Sequence, residues 1–86
     1  MPYTVYLKRS AEKELAGLPR DVHQKIIKRL LTLKDNPRPA GAKKLWGGER
    51  YRHRVGDYRV LYTIDDALQK IEVSAVGHRR KVYRQD

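Results

Sequence analysis

Between Tyr51 and Tyr62 the chain reads Tyr51-Arg52-His53-Arg54-Val55-Gly56-Asp57-Tyr58-Arg59-Val60-Leu61-Tyr62, and this stretch limits the fold more than any other. Apolar or aromatic residues alternate with charged ones on both sides of Gly56-Asp57, which is the period of half-buried strands. A two-residue Gly-Asp loop fits a type II′ turn, with glycine at the first central position. That turn fixes the register: Val55 faces Tyr58, Arg54 faces Arg59, and Arg52 faces Leu61. Arg52, Arg54 and Arg59 then share one face of the sheet. Tyr51, His53, Val55, Tyr58, Val60 and Tyr62 turn to the other.

The rest of the chain supplies layers to cover that second face. Thr4-Val5-Tyr6-Leu7 is a short β-prone run. Ser10 as N-cap, with Glu12 and Glu14 following, predicts a first helix over about 10–17, closed by Gly17 and stopped by Pro19. Pro19 suits the first turn of a second helix. Val22, Ile26, Leu30 and Leu33 form its apolar stripe, which Ile27 and Leu31 widen, and Asn36-Pro37-Arg38-Pro39 ends it. Residues 36–48 are predicted as a loop, and strands at about 50–55, 58–64 and 70–76 follow. The order β-α-α-β-β-β predicts one α+β domain over 1–86. It has a small, mostly antiparallel sheet with both N-terminal helices packed on one face.

Twenty Lys and Arg against ten Asp and Glu give a net charge of +10 on 86 residues. Such a field attracts nucleic acid or an acidic protein. Cysteine is absent and the three histidines are isolated, so no disulfide scaffold, thiolate nucleophile or zinc site is expected. The Met1-Pro2-Tyr3 start lacks signal-peptide character, and no apolar run approaches the roughly 20 residues that span a bilayer. A cytoplasmic protein without membrane association is the expectation.

The arginines carry the sharpest chemical inference. Directly opposed residues hold their Cβ atoms about 4.5–5.5 Å apart, where like charges destabilise. Three guanidinium groups on one rigid patch are suited to hold a phosphate and to oppose developing negative charge. The competing reading is that they splay into water or pair with Asp57 or Glu72. His53 falls on the helix face and reads as a packed residue, and His23 as structural or solvent-facing. His78, beside Arg79 and Arg80, suits proton transfer or plain electrostatics. Tyr83 stacks on a base, joins proton transfer, or simply packs. Lys43, Lys44, His78, Arg80 and Lys81 are the candidates for substrate binding, and Glu49 is the one carboxylate near the hairpin. No serine-histidine-aspartate or P-loop pattern is legible.

Three local signatures recur in one family. They are Lys44-Leu45-Trp46-Gly47, the Tyr51–Tyr62 hairpin, and Ala75-Val76-Gly77-His78-Arg79 with Val82-Tyr83 just after. In size, charge, element order and these motifs, nearly the whole chain resembles the RelE/ParE superfamily of type II toxin–antitoxin toxins. In the RelE branch the resemblance implies a metal-independent endoribonuclease that cuts messenger RNA in the ribosomal A site. There the ribose 2′-OH attacks the adjacent phosphate and a 5′-OH leaves. It further implies functional residues at Arg52, Arg54, Arg59, Arg79 and Tyr83. The first two of these are often lysine in that branch. Arginine does not deprotonate readily, so the general base is unassigned. The implied partners are the ribosome, messenger RNA and a cognate acidic, RelB-like antitoxin, with operator DNA met only through the antitoxin complex. Two other readings stand beside it: a ParE-type inhibitor of DNA gyrase, and a nucleic-acid-binding module without turnover.

Overall fold

The computed structural model describes residues 2–45 and 50–78. In chain order its elements are β1 (Thr4–Leu7), α1 (Arg9–Ala16), α2 (Arg20–Leu33), β2 (Ala42–Lys44), β3 (Arg50–Val55), β4 (Tyr58–Asp65) and β5 (Lys70–His78). They build one five-stranded sheet of order β1-β5-β4-β3-β2. β1 runs parallel to β5, and every other neighbour pair is antiparallel. The fold is therefore the expected α+β sheet with both helices on one face. β2 adds a strand inside the segment expected as a loop.

The α2 stripe does what its spacing predicts at Ile26, Leu30 and Leu33, all buried against the sheet. Leu31, expected to widen the stripe, stays 55% exposed. The strands answer with Tyr51, Val55, Val60, Tyr62, Ile64, Ile71, Val73 and Val76, which close one core with Ala11 and Leu15 of α1. α1 begins one residue earlier than expected. Lys8 takes the cap position with its N–H given to the Val73 carbonyl, and Ser10 falls inside the first turn without a capping hydrogen bond. β1 runs into the helix too abruptly for Ser10 to cap it.

β1 covers the edge of β5 only as far as Val73. Beyond it α1 takes over, and Glu14 Oε1 accepts the Val76 N–H at 3.1 Å. A carboxylate on a helix thus completes a strand edge that no neighbour pairs.

At the opposite end of the sheet a polar clasp ties the α2–β2 segment down. Arg38 donates to both carboxylate oxygens of Asp66, at 3.2 and 2.8 Å, and through Nε to the Tyr51 hydroxyl at 2.9 Å. Tyr3 adds a 2.6 Å hydrogen bond to Asp66. The Arg38 hydrogen bond holds the Asp66 carboxyl below its usual range. Both charged groups are well exposed and screened by water, so the pair adds little to stability and the clasp chiefly positions the loop. Among the described residues no helix is long and apolar enough to cross a membrane.

His53 lies on the core side of β3, 3% exposed, and neither ring nitrogen has a hydrogen-bond partner. Burial, and after it the charge of Arg29, hold it below its ordinary value. The nearby Gly41 backbone favours the charged form but does not reach hydrogen-bond geometry. The native state thus binds fewer protons here than the unfolded chain does, so this residue destabilises the fold as pH drops below the ordinary histidine value of about 6.5. His53→Leu is expected to flatten the decline in melting temperature between pH 7 and pH 5. It should leave stability at pH 7 unchanged or raised by up to about 1 kcal/mol. An equally steep decline in the variant would remove His53 from this account.

Candidate nucleic-acid interface

The hairpin forms in the predicted register. Val55 faces Tyr58, Arg54 faces Arg59, and Arg52 faces Leu61. Gly56 has φ +61°, and among the described non-glycine residues only Gln69 has a positive φ, as a type II′ turn requires. An added Cβ at Gly56 would meet nothing within 4 Å, so the glycine serves backbone conformation and not space. Gly56→Ala is expected to cost about 1–2 kcal/mol by chemical denaturation. A neutral result would mean that the turn relaxes to another geometry.

Strand pairing carries the arginine face outward from this turn. Arg54 of β3, Arg59 of β4 and Gly77 of β5 form one row. Lys43, Arg52, Leu61 and Ala75 form the next. Gly77 sets no side chain beside Arg59, and both residues are buried. In the second row Leu61 and Ala75 are buried with Leu45 packed against them, giving the basic face a small apolar floor. Arg59 is only 7% exposed, and its Nη1 donates to the Tyr58 carbonyl at 3.3 Å. Arg54 is exposed and Arg52 half-buried. Among the described residues neither Arg54 nor Arg59 pairs with a carboxylate. A guanidinium that is nearly buried and uncompensated is costly, and an incoming phosphate offsets that cost.

The structure brings Arg52, Arg54, Arg59 and Lys43 to one face. Lys44, opposite Tyr51, has the other parity and lies at the exposed rim. His78 also has the other parity. It sits opposite Tyr58, with the rings edge to face at 5.6 Å, so it does not join the arginines. Arg79, Arg80, Lys81, Tyr83, Trp46 and Glu49 lie outside the described residues. One residue escaped the sequence reading: Arg50, opposite Thr63, has the same parity as Arg52 and extends the basic row. Its position two residues before Arg52 was the available signal.

Comparison with known proteins agrees with this architecture. The family model for the ParE toxin of the type II toxin–antitoxin system, parDE, matches residues 5–83. The chain is 33% identical over 86 residues to the toxin RelE of Mycobacterium tuberculosis, covering 96% of this chain and 88% of that protein. The toxin–antitoxin complex RelBE2 from Mycobacterium tuberculosis contains a chain of similar fold, with TM-score 0.82 and 29% identity. That match covers 92% of this chain and all of the other. The archaeal RelE–RelB complex from Pyrococcus horikoshii gives TM-score 0.83 at 28% identity, covering 92% of this chain and 97% of its counterpart. The chain belongs to the RelE/ParE superfamily and is a RelE-like toxin of a type II toxin–antitoxin system.

Proposed function

We propose that the protein is a ribosome-dependent endoribonuclease that cuts messenger RNA in the A site without a metal ion, using arginines to stabilise the transition state. The observation that carries this reading is the Arg54–Arg59 pair beside Gly77: two like charges held opposite one another, one nearly buried, without a carboxylate among the described residues. In the proposed reaction the 2′-oxygen forms a bond to the adjacent phosphorus. The bond to the 5′-oxygen breaks, leaving a 2′,3′-cyclic phosphate and a 5′-hydroxyl. Arg59 and Arg79 bind the scissile phosphate and oppose its growing charge. Arg52 and Arg54 orient the nucleotide and favour the ionised 2′-oxygen, whose proton passes to solvent water. The leaving oxygen takes its proton from Tyr83, since His78 has the opposite parity.

The antitoxin is proposed to be an acidic chain, in keeping with the +10 charge and with the RelE–RelB complexes to which this fold is similar. Operator DNA is met only through that complex. Toxin and target are proposed to meet in the cytoplasm, where the ribosomes are.

The test is to map message ends on programmed ribosomes with chelator present. The expected products carry 5′-hydroxyl and cyclic phosphate ends within the A-site codon. A second reading has its own support, because the matching family model is that of ParE. If the protein blocks gyrase supercoiling and leaves ribosome-bound message intact, that reading replaces this one.

A further inference from the structure

A second cationic feature lies outside the arginine face. Between α2 and the end of β3 is an open cavity of about 520 Å³, lined by Lys25, Lys28, Arg29 and Thr32 of α2 and by Arg54 and Gly56 of the hairpin. Four of these are cations, and among the described residues no carboxylate lines it. The α2 members sit at spacings of three and four, so they share one helix face and recur about every 5.4 Å. β2 runs out at Ala42, opposite His53, which leaves Arg54 at an open sheet edge bordering both the cavity and the arginine face. Gly56, which lines the cavity, places no side chain at the turn, and an added Cβ there would meet nothing within 4 Å. The positive potential reaches the core, where Arg29 reinforces the effect of burial on His53.

We propose that this cavity is a second phosphodiester-binding site. In it Lys25, Lys28 and Arg29 hold the backbone of a single-stranded RNA that continues from the arginine face past Arg54 and over the glycine turn. A phosphodiester chain is favoured over a lone anion because the cavity is open and its cations are strung along the helix instead of converging on one point. The proposal rests on the RNA reading of the arginine face and extends its track to the helix side.

The test is equilibrium binding of a single-stranded RNA whose 2′-hydroxyls are methylated, so that binding is read without turnover, across a salt series. The variants are Lys25→Ala/Lys28→Ala/Arg29→Ala and a charge-matched control, Lys13→Ala/Arg20→Ala/Lys34→Ala. All six side chains are exposed, so both variants are expected to fold. Each lost phosphate contact lowers the slope of log affinity against log salt by about 0.7 for a single strand. The α2 variant is expected to lose about 1.4–2.1 of slope and at least about tenfold in affinity at low salt, with the control near wild type. Equal losses in both variants would mean that only net charge acts, and would overturn the site. So would an unchanged slope in the α2 variant, including the case in which only an acidic peptide loses affinity. RNA binding that depends on α2 in a protein that cuts no message would sink the nuclease reading and leave this site standing.

Discussion

Arg59→Ala is expected to lower single-turnover cleavage of ribosome-bound message by a factor of about 10²–10³, or 2.7–4 kcal/mol of barrier. The guanidinium is preorganised. It is nearly buried between Arg54 and Gly77, and among the described residues its only fixed partner is the Tyr58 carbonyl. Little reorganisation is needed when a phosphate arrives, and that is where such a group contributes most to rate. The same isolation makes Arg59 costly to the resting fold. Arg59→Met, which keeps the length of the side chain, is therefore expected to be as stable as wild type or more so while losing activity to the same degree. Cleavage reduced by less than about threefold in both variants, far short of the loss typical of an oxyanion donor, would remove Arg59 from the mechanism. Activity lost together with melting temperature would assign it a structural role instead.

The second large effect is on stability. Tyr62→Ala is expected to cost about 3–5 kcal/mol, as for other large aromatic side chains removed from a core. Tyr62 is 1% exposed and stacks on Tyr51 at 5.8 Å, and its hydroxyl donates to the Pro37 carbonyl at 2.9 Å. A domain of this size has roughly 4–13 kcal/mol in total, so the variant should melt at least roughly 12 °C lower or fail to fold. Tyr62→Phe separates the two contributions. It keeps the stack, leaves Pro37 unsatisfied, and should cost about 1 kcal/mol. Burial pushes the Tyr62 hydroxyl up to about 12. The folded state therefore stays protonated where the unfolded chain ionises, and this contribution is lost as pH rises between about 10 and 12. In Tyr62→Phe that alkaline decline should be shallower. A Tyr62→Ala protein melting within roughly 4 °C of wild type would show that the stack contributes far less than its burial implies.

The hairpin was legible because its information is local. Gly56-Asp57 dictates the turn, the turn dictates register, and register dictates which side chains share a face, all within twelve residues. The α2 stripe was legible for the same reason, except at Leu31, which lies just past the width of helix that the sheet can cover. What escaped notice is held by distant partners. β2 is the three residues Ala42-Lys43-Lys44, with no alternation or β-branching, and is a strand only because β3 offers an edge. Glu14 reads as a helix-dipole residue until β5 is seen to need an acceptor 62 positions away. Arg38 and Asp66, 28 residues apart, carry no mutual signal in the chain. The parity of His78 was hidden by the register shift between Leu61 and Tyr62, which changes the count along β5.

The place of β5 in the sheet has a consequence for how the molecule comes into being. This strand is made last of the five yet lies between the first, β1, and the β2–β3–β4 meander. Until it emerges, the amino-terminal strand has no neighbour to pair with, and the hairpin bearing Arg52, Arg54 and Arg59 has no link to it through the sheet. Assembly must wait for contacts between β1 and β5, and contacts so distant in sequence are slow to find. A ribosome making this protein therefore has to release β5 before the sheet that holds its arginines can close.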